Sequence, residues 1–174
     1  MTKTNDITKK GMNTLNRVFP QRIPCEVLSS GRAVKLLGNY VFKLPGFGKF
    51  VAEKGFVSDF ASSPRAAWSI VPPWGKYSPA ALGHDWLYSA GKNLNIIWDE
   101  DIYTKTQSDI MCQNKKLWEN NPRKFADDFF NQAMIDLNVK TWRRKTMYRL
   151  VRLLGWKRWN ELRRQEIKGN GECK

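Results

Sequence analysis

Apolar residues change their spacing once along this chain, near Ser58, and that change limits the folds open to it. From Pro24 to Ser58 the runs C-E-V-L-S, A-V-K-L-L, Y-V-F-K-L and K-F-V-A-E are short, rich in Val, Leu and Phe, and partly alternating. S-S-G, G-N and P-G-F-G separate them as turn chemistry. A small antiparallel meander is expected there. Beyond it the spacing becomes helical. Ser78 reads as an N-cap with Pro79 at the first helical position, opening a helix to about Ala90. Thr106 to Trp118 reads as a second helix, and Asn120, Asn121 and Pro122 as a break. In R-K-F-A-D-D-F-F-N-Q-A-M-I-D-L, residues Ala126, Phe130, Ala133, Met134 and Leu137 recur at i, i+4, i+7, i+8 and i+11, the core stripe of an amphipathic helix. Strands first and helices after predict an α+β fold: a small N-terminal meander packed on a helical layer with two antiparallel helices.

The 174 residues suit a single domain of ordinary size. Residues 1–20 are expected to form a polar basic arm, 21–156 a single α+β domain, and 157–174 a basic C-terminal extension. From Lys140 to Lys168 there are 11 Lys/Arg against two Glu, interleaved with tryptophans and aliphatic residues. Val151 and Leu154 are expected on its core face, and Gly155 as a break between two helices. The outward residues Arg143, Arg144, Arg152, Trp156, Lys157, Arg158 and Trp159 form a candidate partner or membrane face.

A net charge of +14 attracts polyanions of some kind. An anionic membrane or an acidic protein surface ranks above nucleic acid as the expected partner, because no helix-turn-helix, zinc finger or RNA-binding sheet motif is visible. Cys25, Cys112 and Cys173 show no paired spacing, which fits a reducing compartment and argues against structural zinc. No run of 18 apolar residues exists, and the first ten residues hold no apolar signal core. Synthesis in a cytoplasm is therefore the expected location.

The densest chemistry lies in A-A-L-G-H-D-W-L-Y, which contains His84, the single histidine. On a helix His84 and Tyr88 share a face, whereas Asp85 is turned about 100° away. Asp85 is thus poorly placed to orient the imidazole. A carboxylate from another helix does so better, and Asp127 or Asp128 is positioned for it. Asp59 and Ser62, in S-D-F-A-S-S-P-R, are either local caps or neighbours of the site. Asp99, Glu100 and Asp101 read as a solvated acidic loop.

The blocks G-F-V-S-D-F-A-S-S-P-R, Y-S-P-A-A-L-G-H-D-W-L-Y, F-A-D-D-F-F-N-Q-A-M and M-Y-R-L-V-R-L-L-G-W, in that order, resemble a family known as domain of unknown function 1353. The family is found mostly in tailed phages and prophages. The resemblance spans roughly Cys25 to Trp156 and implies a phage origin. A second resemblance is narrower. H-D-x-x-Y on one helix with an Asp on a later one is similar to the core of phospholipase A2. That resemblance implies His84 as the base that activates water, Asp85 as a calcium ligand, and Tyr88 with Asp127 as the pair that holds the histidine. The glycine-rich loop that would complete a Ca2+ site is open: W-G-K-Y at Trp74 to Tyr77 is close, P-G-F-G has the better composition, and Asp59 offers a side chain instead. The expectation is a hydrolase-like His/Asp site, set against a virion or assembly component in which the same cluster is structural, or a host-directed effector acting through its basic face.

Overall fold

The computed structural model describes residues 22–29, 31, 33–59, 75–91, 94–98 and 105–171, with side chains as far as 166. The N-terminal arm, Ser62, Trp74, the acidic residues 99–101 and Cys173 lie outside the described residues. Among these, five strands precede four helices, an α+β arrangement. The strands are β1 (Cys25–Val27), β2 (Val34–Leu36), β3 (Tyr40–Leu44), β4 (Gly48–Ala52) and β5 (Val57–Ser58). The helices are α1 (Ser78–Ala90), α2 (Lys105–Asn120), α3 (Pro122–Asp136) and α4 (Thr141–Gly171).

All the pairings are antiparallel, but the strands divide into two small sheets. β3 and β4 form a hairpin, with Phe42 opposite Phe50. β5 skips that hairpin and returns to pair with β2, in the order β1-β2-β5. The hairpin has a strict period of two: Tyr40, Phe42 and Leu44 point inward from one strand, Phe50 and Ala52 from the other. Their rings meet α3. Phe129 lies edge-on to Phe42 and Phe50, and Phe47 packs on Phe125. The P-G-F-G turn takes left-handed backbone at Gly46, φ +80°, and the Gly46 carbonyl accepts from Asn114 of α2 at 2.8 Å. This stretch is a hairpin turn seated on α2.

Helix boundaries follow side-chain chemistry. α1 begins one residue earlier than expected. Tyr77 takes the cap position, and the Ser78 hydroxyl instead accepts from the Gly75 N–H upstream. Asn121 caps α3 by accepting from the Lys124 N–H, and Pro122 follows at the first turn. α3 ends at Asn138 in left-handed conformation, with the Val139 N–H on the Met134 carbonyl and the Asn138 N–H on the Ile135 carbonyl.

α1 and α3 pack against each other. Gly83 faces Phe129 and His84 faces Phe130, whereas Tyr88, a turn further on, reaches back to Asp127. Of the expected α3 stripe, Ala126, Phe130, Ala133 and Met134 are buried.

α4 departs from expectation. It passes through Gly155 unbroken, and also through the 156/157 boundary. Met147, Val151, Trp159 and Leu162 pack on the core, whereas Leu154 is exposed. Gly155 is a point of close approach: a Cβ there would lie 2.5 Å from the Tyr88 hydroxyl. Arg163 donates to the carbonyls of Tyr88 and Ser89 at the end of α1, where helix carbonyls lack partners. Its guanidinium fills space that a side chain at Gly91 would occupy.

Candidate functional site

Asp127 is the centre of a polar cluster inside the helical layer. It follows Ala126 on the buried face of α3 and is 0 % exposed. Burying a carboxylate is costly unless it is paired and hydrogen-bonded, and here both oxygens are used. Oδ1 contacts His84 Nε2 at 2.9 Å and accepts from the Tyr88 hydroxyl at 2.7 Å. Oδ2 accepts from Arg152 Nη1 at 2.7 Å, and Arg123 Nη1 stands 3.9 Å away. Asp128 points elsewhere, to Tyr148 and Lys124. The choice between the two aspartates was open in the sequence, and helix packing decides it.

His84 is 8 % exposed and lies between two carboxylates. Nε2 faces Asp127, and Nδ1 stands 3.6 Å from Asp85 Oδ1, beyond a direct hydrogen bond. Desolvation, the largest single influence, favours the neutral ring. Asp127 and Asp85 together outweigh it and raise the pKa to about 9. Burial likewise pushes the Asp127 carboxyl up, but its bonds from His84, Tyr88 and Arg152 hold it below the ordinary value. Tyr88 is raised by burial and then by the Asp127 charge, so its phenol stays a donor.

Asp85 is more open to solvent than His84 or Asp127, its side chain about a quarter exposed. Its Oδ2 accepts from the Ser58 hydroxyl at 2.5 Å. β5 positions that serine: Val57 points out and Ser58 in, by the period of two, and Val34 of β2 sets the register.

The structure thus brings His84, Tyr88, Asp127 and Asp85 together, and adds three residues that the sequence did not single out for the site. Ser58 sits one position before the Asp59 that was considered. Arg123 lies a helical turn before Asp127. Arg152 was assigned to the outer face, yet it lies one turn beyond Tyr148 and points inward with it. Trp159 also points inward, its ring 5.2 Å from that of Tyr88, and Arg144 donates to Asn131. Among the expected face residues, Trp156, Lys157 and Arg158 are exposed.

A hard cation such as Ca2+ takes roughly six to eight oxygen ligands. Asp85 brings one carboxylate, already held by Ser58, and among the described residues no group of three or more His, Cys, Asp or Glu is arranged to hold a metal.

Fold and site together define an α+β protein in which two helices hold a buried His–Asp–Tyr cluster, backed by an arginine from a third. The model of a family described as Protein of unknown function (DUF1353) matches residues 34–151, and the chain belongs to that family. The matched span includes Ser58, His84, Asp85, Tyr88, Arg123 and Asp127, and ends one residue before Arg152. Among curated proteins and among solved structures, none matches this chain.

Proposed function

We propose that this protein is a phage-encoded hydrolase of an ester or related bond, resembling phospholipase A2, with His84 as the base that activates water. One observation carries the reading. A single oxygen, Asp127 Oδ1, holds both His84 Nε2 and the Tyr88 hydroxyl, which leaves Nδ1 turned toward the more exposed Asp85. In the neutral ring this places the proton on Nε2 and the lone pair on Nδ1. A water at Nδ1 loses its proton to the ring as its oxygen attacks the acyl carbon. The imidazolium formed is stabilised by Asp127, and returns the proton to the leaving oxygen. Hydrogen bonds from Tyr88 and Arg152 help to keep Asp127 ionised.

A second reading has its own support. Asp127 is fully enclosed, and a saturated polar cluster of this kind also serves to set helix packing, as a virion or assembly component would need.

Purified protein assayed on phospholipid and short-chain esters, with calcium and with chelator, separates the two. The hydrolase reading expects turnover that rises with pH toward about 9, as Nδ1 loses its proton. It also expects His84→Gln to lower turnover roughly a hundredfold or more in protein that is still folded at the assay temperature, even though loss of the buried His84–Asp127 pair lowers its melting temperature. Absence of turnover by the wild-type protein in either condition supports the structural reading instead.

A further inference from the structure

α4 is apolar on two faces. The inner one packs on the domain. The outer one leaves Leu153 68 %, Leu154 56 %, Trp142 53 % and Trp156 50 % exposed, with Leu150 beside them. Scattered apolar residues on a surface need no explanation, but large ones collected along one helix mark a contact surface. From Thr141 to Asn160 the sequence holds seven Lys/Arg and no Asp or Glu. Lys145, Arg149 and Lys157 are exposed along the same side. Two cations sit beside exposed rings: Arg143 lies 5.3 Å from the Trp142 centroid, and Lys157 lies 5.8 Å from that of Trp156.

We propose that the outer face of α4 docks on an anionic lipid bilayer, with the helix lying in the plane of the interface. At about 100° per residue, Trp142, Arg149, Leu153 and Trp156 fall within one narrow arc, so apolar and basic side chains are mixed across it. A bilayer interface accommodates that mixture. Leucines and tryptophans enter the headgroup boundary, and long cationic stems lie along them with their charged ends on lipid phosphates. A second copy of the chain would bring like charges together. A nucleic-acid backbone offers nothing to Leu153 and Leu154. The inward residues Arg152 and Trp159 stay on Asp127 and Tyr88, so docking leaves the cluster intact. The inference rests on this surface and does not depend on the hydrolase reading.

The test is flotation of the full chain with vesicles of phosphatidylcholine alone and of phosphatidylcholine with phosphatidylglycerol. Binding is expected to the anionic vesicles, weakening as salt rises. The triple variant L153S/L154S/W156S keeps the net charge and replaces only exposed side chains. It should bind roughly tenfold or more weakly at an unchanged melting temperature. Failure of the wild-type chain to float with anionic vesicles overturns the proposal, as does equal binding by the serine variant. Binding to duplex DNA that the serine variant retains, without vesicle binding, assigns the basic face to nucleic acid instead.

Discussion

At the scale of single residues, His84 makes stability depend on pH. Its folded pKa, raised to about 9 by Asp127 and Asp85, stands above the ordinary histidine value of 6.5. The folded state therefore binds the proton more tightly than the unfolded chain does. The stabilisation is fully present below about pH 6.5 and is lost as pH rises through about 9. Thermal melts across that window should show a falling midpoint. Asp127→Asn should flatten the dependence, because the amide no longer favours the imidazolium. The same variant should lower overall stability by about 3–5 kcal/mol, since Arg152 and His84 lose their buried counter-charge. A wild-type midpoint that does not move between those pH values would show that His84 is not held between the carboxylates.

At the scale of elements, the fit of α4 against α1 depends on Gly155. Helix propensity alone makes Gly155→Ala stabilising by about 1 kcal/mol. The close approach reverses that sign. The new Cβ would lie 2.5 Å from the Tyr88 hydroxyl, so the phenol must leave Asp127 or the helices must part. Overpacking of this kind costs about 1–3 kcal/mol, to which the lost hydrogen bond adds. Net destabilisation is expected in denaturant titration, and it should shrink in a Tyr88→Phe background, where the clashing oxygen is gone. Equal effects in both backgrounds would place the strain elsewhere. In the sequence alone Gly155 reads as a helix break. Composition could not distinguish a glycine that ends a helix from one that admits a neighbour, because the neighbour lies 67 positions away.

For the whole molecule, Trp159, Leu162 and Arg163, beyond residue 156, belong to the packing of the domain. Trp159 meets Tyr88, Leu162 joins the core, and Arg163 holds the end of α1. A chain ending after Trp156 should lose about 2–4 kcal/mol from the half-buried tryptophan and the guanidinium bonds. For a chain of this size, that lowers the melting temperature by roughly 5–15 °C. An unchanged midpoint would make the segment a dispensable extension. The same helix carries the outer face proposed to meet lipid, so it joins the buried cluster to the surface.

Four of the strands, the helices and their α+β order were legible in the sequence because each follows from local spacing, a period of two before Ser58 and a helical period after Pro79; the two-residue β5 is too short to show a period. His84 and Tyr88 were legible for the same reason, sharing one face of a helix, and so was the need for an aspartate from the Asp127/Asp128 pair on another helix. Only tertiary structure decided that β5 returns to β2 with Ser58 at Asp85, that Asp127 and not Asp128 faces inward, and that Arg152 neutralises it. The outer face of α4 was also misjudged locally, with Leu154 assigned to the core. With apolar residues on both sides, helical periodicity does not say which side is covered, and that is set by where α1 and α3 lie.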